Sequence, residues 1–314
     1  RLGMMARALL VAAAAGLLAG RTAAFGTTMR GQRLRLSMST ESAEEAVAAA
    51  PAYPGASFGK ELEIMRLKAR ISQIAASMDR GTVRYKYADA YTEKAAAMRQ
   101  ELEALIAHPG APAVPTDLSA LDGEWELIYT SVKHGIFRSS PFFLAIEEAY
   151  DNEELSNLFF KLHELQTCSW GVSTVGRVAQ VWDSEAKMMY SEFDTSLFGL
   201  TTIPIVGFFK LLPTFGGCVR TESKVTSTEI GPDGRVEMEV DLTRAKEVPG
   251  LPPLPILGDR VYDIEVPVGD IWEKLPWNKG PAKCAVNIVY LDDDFRIAAD
   301  KYGELFVYTR PVVP

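Results

Sequence analysis

The sequence predicts a mainly β protein with some α: an antiparallel β-barrel, preceded by a helical hairpin and with helices inserted after its first strand. The clearest strand is residues 235–244, where apolar and polar side chains alternate with a period of two. Similar segments bring the count to roughly nine strands, a number that suits a closed barrel or a half-barrel. Most of them follow residue 169, whereas apolar residues before residue 110 recur at helical spacing.

The N-terminus is predicted to be a presequence in two parts. Residues 1–24 form a signal peptide, since the apolar run over residues 8–20 is too short to span a bilayer and small residues precede Phe25. Residues 25–38 contain Arg, Thr and Ser but no acid, a composition typical of a transit peptide. This arrangement resembles the bipartite presequence of algae with secondary plastids, so we expect a plastid protein; simple secretion is the alternative.

The charge of the chain limits its partners. The net charge is −8, and residues 1–38 carry six arginines and no acid, so their removal would take the charge to −14. An acidic body excludes binding to a nucleic-acid backbone, which depends on Lys and Arg, and disfavours anionic lipid headgroups. Cys168, Cys218 and Cys284 are far apart without a CxxC pair, and we interpret them as buried thiols.

The elements follow in order along the chain. Residues 39–59 are a linker rich in Ala, Pro and Gly, and residues 60–115 are a helical hairpin. Residues 116–314 form the barrel domain. Within it Ser139 or Ser140 caps a helix that has Pro141 at its first position, and Asp151-Asn152 caps another. The other predicted strands are residues 121–131, 174–182, 187–194, 217–229, 260–266, 283–291, 295–298 and 303–310.

Several ordered motifs carry a family resemblance. Residues 121–131 read Leu-Asp-Gly-Glu-Trp-Glu-Leu-Ile-Tyr-Thr-Ser, and residues 137–143 read Phe-Arg-Ser-Ser-Pro-Phe-Phe. Residues 290–297 and 303–310 form a closing motif. From about residue 60 onward the chain resembles the plastid-lipid-associated proteins, or plastid fibrillins, although residues 191–255 match loosely and residues 298–300 depart from the pattern. The motif residues are Leu127, Tyr129, Thr130, Tyr290, Asp292 and Phe306.

The resemblance implies a lipocalin-like barrel associated with thylakoids or plastoglobules. It also implies that the protein binds or sequesters isoprenoid lipids such as carotenoids and quinones, at a peripheral membrane or lipid-droplet surface. Gly123-x-Trp125 is similar to the opening motif of lipocalins, in which Trp closes one end of the barrel. We expect a late arginine, Arg296 or Arg310, over the face of Trp125, a contact that contributes about 0.5–2 kcal/mol. The alternative is a plain core Trp and a surface Arg.

Residues 197–215 form the most apolar stretch outside the presequence. Two prolines and Lys210 interrupt it, which disfavours a membrane-spanning helix. It is either a buried hairpin or helix of the core, or an apolar loop at the barrel mouth that contacts a lipid surface. The possible lipid-contacting residues are Phe198, Ile203, Ile205, Phe208 and Phe209.

Catalysis has little support in the sequence. His108, His134 and His163 are scattered, and the acidic run at residues 292–294 is better explained by a turn than by a metal site. We therefore expect no catalytic residue, cofactor or metal.

The leading hypothesis is a non-enzymatic plastid protein that binds apolar lipids. One alternative is a protein-interaction subunit of a thylakoid photosynthetic complex, docked through its N-terminal helices. The other is an enzyme on the same scaffold that acts on carotenoids or oxylipins. It would need polar side chains inside the barrel, for which Tyr190, Glu192 and Asp194 share one strand face.

Overall fold

The predicted presequence and most of the linker lie outside the part of the chain that the computed structural model describes. None of the helices in that part combines the length and the apolar composition needed to cross a membrane. The described residues are 56–82, 89–132, 134–150, 152–167, 173–197, 202–203, 209–210, 215–250, 252, 258–274 and 280–312.

Helices and strands are numbered in chain order. The α-helices are α1 (Ala56–Ser77), α2 (Asp89–Ile106), α3 (Gly135–Arg138), α4 (Pro141–Tyr150), α5 (Glu153–Thr167) and α6 (Val268–Glu273). The strands are β1 (Gly123–Thr130), β2 (Ser173–Asp183), β3 (Met188–Leu197), β4 (Thr202–Ile203), β5 (Phe209–Lys210), β6 (Phe215–Val225), β7 (Arg235–Lys246), β8 (Glu265–Val266), β9 (Lys283–Leu291), β10 (Phe295–Ala299) and β11 (Leu305–Thr309).

Eight of these strands close into an antiparallel barrel. The order around it is β1, β2, β3, β6, β7, β9, β10 and β11, and β11 pairs with β1 to complete the circle. The short strands β4 and β5 pair only with each other. The predicted fold, a lipocalin-like barrel with a preceding helical hairpin and helices after the first strand, is therefore confirmed.

The predicted strand over residues 260–266 is wrong for most of its length. A 3-10 helix occupies Gly258–Asp263, and only β8 is extended. β9 already pairs with residues 235–239 of β7, so the edge of β7 left for β8 is short. The pairing of β8 is accordingly limited to two residues, Thr243 and Arg244.

The helical hairpin packs on the outer face of the barrel, against β1, β9, β10 and β11. These strands are consequently buried on both faces. The buried members of this outer cluster are Ile71, Ala75, Met78, Met98, Leu102 and Leu105 from the hairpin, and Tyr129, Tyr290, Phe295, Ile297 and Val307 from the strands.

The inserted helices α3 and α4 enter the barrel. Ile136, Leu144 and Ala145 belong to the same apolar cluster as the inward side chains of the strands. Gly135 begins α3 against β1, where a Cβ atom would collide with the hydroxyl of Thr130. The chain therefore occupies part of its own barrel, and a side chain at residue 135 would prevent this close approach.

Candidate functional site

Trp125 lies near the start of β1 and is fully buried. Its Nε1 donates a hydrogen bond to the carbonyl of Leu121 over 2.7 Å. The Cζ atom of Arg310 lies 3.7 Å from the indole centroid, and Arg310 Nη1 donates to the carbonyl of Asp122 over 2.5 Å. Gly123 has a φ of +93°, and a Cβ there would lie 2.8 Å from that same Nη1. Gly123, Trp125 and Arg310 thus form one packed unit.

Arg296 approaches the same indole, with its Cζ 5.0 Å from the Trp125 centroid and 4.2 Å from that of Tyr308. The sequence left open which arginine would lie by Trp125, and the structure brings both there. They differ in their partners, because Arg296 Nη2 donates to the side-chain oxygen of Gln180 over 2.5 Å, whereas Arg310 donates to backbone carbonyls.

The guanidinium of Arg296 is 1 % exposed. Among the described residues its Nε and Nη1 atoms have no hydrogen-bond partner, and no carboxylate there forms an ion pair with it. Burial lowers the pKa of Arg296 to about 10, so the group still carries its charge at neutral pH. The barrel interior therefore contains a cation that no anion of the described chain neutralises.

A row of polar side chains crosses the interior beside Arg296. Gln180 pairs in register with Trp125 on one side and with Ser191 on the other, and the row continues through Thr221 to Thr243. The hydroxyls of Thr221 and Thr243 lie 3.2 Å apart. We call Gln180, Ser191, Thr221 and Thr243 the polar row.

Two hydroxyls on this wall have no hydrogen-bond partner in the part of the chain that the structure describes. Ser191 and Ser223 are both fully buried, and neither Oγ atom forms a hydrogen bond. Gln180 by contrast donates to the hydroxyl of Tyr308 over 3.0 Å and to the carbonyl of Ser139 over 2.8 Å. The interior thus combines a large apolar cluster with unsatisfied polar groups on one side.

The polar residues singled out on β3 lie on the opposite face from Ser191. Tyr190, Glu192 and Asp194 alternate with Ser191 and Phe193, and Phe193 belongs to the interior cluster. They therefore face away from the interior. Ser191 was not predicted from the sequence, because a single serine between larger polar residues forms no recognisable pattern.

Glu192 lies in an ion network on this outer face. Lys246 Nζ is 3.0 Å from its carboxylate, Arg177 Nη1 is 3.3 Å away and Arg220 Nε is 3.6 Å away. Burial raises the pKa of Glu192, but the hydrogen bonds and charges of these cations outweigh that effect and hold the pKa below its ordinary value. The carboxylate is thus fully engaged in pairing.

A second buried charge cluster lies at the other end of the barrel, between the inserted helices and the turn after β10. Arg138 Nη2 is 2.9 Å from Glu147 Oε1 and 3.7 Å from Asp300 Oδ2. Burial raises the pKa of Glu147 to about 7, because it outweighs the attraction of Arg138, and it also raises the pKa of Asp300. We call Arg138, Glu147 and Asp300 the rim cluster.

Two histidines that are scattered in the sequence meet beside the inserted helices. His134 Nε2 lies 2.7 Å from His163 Nδ1, and the ring of Phe137 stacks on His134 with 4.5 Å between centroids. Burial lowers the pKa of His163 to about 4. The sequence offers no signal for this pair, because 29 residues separate the two histidines.

The other motif residues divide between the two faces of the barrel. Leu127 and Phe306 belong to the interior cluster, and the buried Thr130 pairs with Phe306. Tyr129 and Tyr290 pack on the outside under the hairpin. Their positions on both faces give these motifs a structural role in the barrel.

Asp292 stabilises the turn between β9 and β10. Its carboxylate accepts hydrogen bonds from Tyr290 Oη over 2.5 Å and from the backbone N–H of Phe295 over 2.9 Å. Lys68 Nζ lies 2.5 Å from the same carboxylate. Within the described ranges no group of three His, Cys, Asp or Glu residues is suited to a metal ion.

The predicted lipid-contacting residues lie largely outside the described residues. Phe198, Ile205 and Phe208 are not described. The backbones of Ile203 and Phe209 pair in the short hairpin of β4 and β5.

Comparison with protein-family models, with curated proteins and with solved structures found no match to this chain.

Proposed function

We propose that this protein is a non-enzymatic lipid-associated protein of the plastid, which binds or sequesters an isoprenoid or other apolar lipid at thylakoids or plastoglobules. The closed barrel carries the proposal, because its interior joins an apolar cluster to buried polar groups that lack partners. Transfer of a lipid into such a site is favourable by about 25 cal/mol for each Å² of apolar surface buried. The plastid location rests on the presequence and the motifs.

The inserted helices determine how a ligand would enter. Helices α3 and α4 contribute Ile136, Leu144 and Ala145 to the interior cluster, so a ligand either displaces them or lies beside them. Contacts at the rim fasten them, since Lys301 Nζ donates to the carbonyl of Glu147 over 3.0 Å in addition to the rim cluster. We therefore propose that α3 and α4 fill the interior of the free protein and are displaced when a ligand binds.

A lipid-capture experiment tests this function. The full-length protein is incubated with total thylakoid lipid, repurified, and examined by absorption spectroscopy and by mass spectrometry of its extract. A pigment or quinone bound at a one-to-one ratio is the expected result. A folded protein that emerges without lipid would contradict the proposal.

The filled interior favours a second candidate, a scaffold subunit of a thylakoid protein complex. A barrel that its own helices occupy needs no ligand to be stable, and it offers its outer surface to partners. The discriminating measurement is migration of the protein after mild detergent solubilisation of thylakoids. Co-migration with a photosynthetic complex, combined with an empty barrel, would favour the scaffold over the lipid carrier.

A further inference from the structure

Among the residues that the structure describes, none supplies a counter-ion to the buried charge of Arg296. Its guanidinium contacts the ring faces of Trp125, Trp182 and Tyr308 and the amide oxygen of Gln180, which are neutral. Arg310 places a second positive charge on the same indole as Arg296, that of Trp125. A buried ion is costly unless a charge of opposite sign and hydrogen bonds compensate for it. The ring faces compensate only in part, and the donors at Nε and Nη1 remain unsatisfied.

The hydroxyls of Ser191 and Ser223 also have no hydrogen-bond acceptor among the described residues. Ser191 follows Gln180 in the polar row, so Gln180 alone separates it from the Arg296 guanidinium along that row. Ser223 lies on β6, next to the strand of Ser191, and its hydroxyl is likewise unpartnered. A hydroxyl can donate to an anionic oxygen, and a carboxylate accepts at both of its oxygens and donates nothing.

The acidic groups of these strands lie on the other face. Glu124 and Glu126 alternate with the inward Trp125 and Leu127 on β1, and both pair with Arg177 outside the barrel. Glu192 on β3 also pairs with Arg177. The acidic protein thus encloses an unneutralised positive charge, which is the electrostatic complement of an anionic ligand.

We propose that the ligand of the barrel is an anionic amphiphile of the long-chain carboxylate class, with its head bound by Arg296 and the hydroxyls of Ser191 and Ser223. This inference rests on the proposed function, and it specifies an acidic lipid where that function requires only an apolar one. The charge-assisted hydrogen bonds to Arg296 supply head-group specificity. The apolar interior cluster, which includes Leu127 and Phe306, receives the tail.

Binding of oleate and oleyl alcohol to the full-length protein tests the head group, because the two probes have the same tail and differ in charge. Dissociation constants are measured by titration calorimetry at neutral pH. We expect oleate to bind at least tenfold more tightly than oleyl alcohol. Arg296→Met should abolish this preference and leave the affinity for oleyl alcohol within a factor of about three. Arg310→Met is the matched control, since Arg310 also lies on Trp125 but bonds to backbone carbonyls; it should keep the preference.

The outcomes separate this inference from the proposed function. Equal affinities for the two probes would overturn the inference. Binding of plastoquinone or β-carotene without oleate would overturn it and leave the proposed function standing, whereas binding of no lipid would overturn both. If Arg296→Met does not fold, the double variant Ser191→Ala with Ser223→Ala removes only two oxygen atoms and should weaken oleate at least threefold. An unchanged oleate affinity in that folded variant would overturn the inference.

Discussion

Trp125 is the residue at which the contacts of this end of the barrel converge. Its indole contacts two guanidiniums and donates to the carbonyl of Leu121. Arg310 fastens this end through backbone carbonyls, whereas Arg296 extends the contact into the interior. The sequence could predict the arginine contact, because the Gly-x-Trp pattern points to it. It could not assign different partners to the two arginines, since those depend on which strands become neighbours.

Replacement of Trp125 should destabilise the protein strongly. Trp125→Ala removes a fully buried indole and leaves Arg296 without one of its ring faces. We expect a loss of about 3–5 kcal/mol in the free energy of unfolding, measured by urea denaturation. Tyr302→Ala, at a partly exposed ring in the turn after β10, is the control and should cost less than about 1 kcal/mol. A similar small loss in Trp125→Ala would contradict the role of Trp125 in closure.

Glu147 should make stability depend on pH. Because its pKa is raised from 4.5 to about 7 in the folded protein, the folded state holds the proton more tightly than the unfolded state does. The stabilisation is complete below about pH 4.5 and is lost as the pH rises through about 7.

Glu147→Gln stays neutral at every pH and isolates this effect. Between about pH 5 and about pH 8 the unfolding free energy of the wild type should fall relative to that of the variant, by at most about 3 kcal/mol. Chemical denaturation over a pH series measures the difference in unfolding free energy between the two proteins. The titration of His163 affects both proteins and therefore largely cancels. A difference that does not vary with pH would refute the prediction.

At the scale of elements, β10 shows how a strand pattern can be misleading. Phe295 and Ile297 would ordinarily face a barrel core and Arg296 would face water. The structure has the reverse, because the helical hairpin covers the outer face and receives Phe295 and Ile297. The interior receives Arg296 and Ala298 instead. Periodicity gives the alternation of faces, but only the tertiary packing decides which face is the interior.

The inserted helices show the same limit. Pro141 and the serines before it predicted the start of α4 correctly, and Asn152 caps α5 by accepting a hydrogen bond from the backbone N–H of Leu155 over 3.0 Å. The location of α3 and α4 inside the barrel was not predicted, because an apolar helix face can pack on either surface of a sheet. The rim cluster and the histidine pair were missed for the same reason.

The position of α3 depends on a glycine. Gly135→Ala places a Cβ atom against the hydroxyl and the side-chain carbons of Thr130, so α3 must move away from β1. We expect a loss of roughly 1–3 kcal/mol in the free energy of unfolding, measured by thermal and urea unfolding. Gly59→Ala in α1, where a Cβ meets nothing within 4 Å, should be neutral or stabilising by up to about 1 kcal/mol. Equal effects of the two substitutions would show that α3 is not held there.

For the whole molecule, the acidic net charge shapes any attachment to lipid. A chain with a net charge of −8 gains little from anionic headgroups. The apolar stretch over residues 197–215 is then the expected anchor.

Phe208→Asp combined with Phe209→Asp should abolish flotation with liposomes made of neutral lipid, while the circular dichroism spectrum remains that of the wild type. The two added charges are costly to transfer into a lipid surface. Val312→Asp, at an exposed position of the C-terminal segment, adds one charge outside this stretch; it is the control and should still float. Persistent flotation of the double variant would favour burial of the stretch in the core.

The strands that the helical hairpin covers should open less often than the strands on the other side of the barrel. Strand β10 is clamped between the hairpin and the interior cluster, so its backbone amides should exchange with deuterium only when the whole protein unfolds. The outer faces of β3 and β6 carry the ion network around Glu192, and no apolar cluster of the described residues covers them. Their amides should exchange through local openings at least tenfold faster. The barrel would then open between the strands that carry the polar row, while the strands under the hairpin keep their positions.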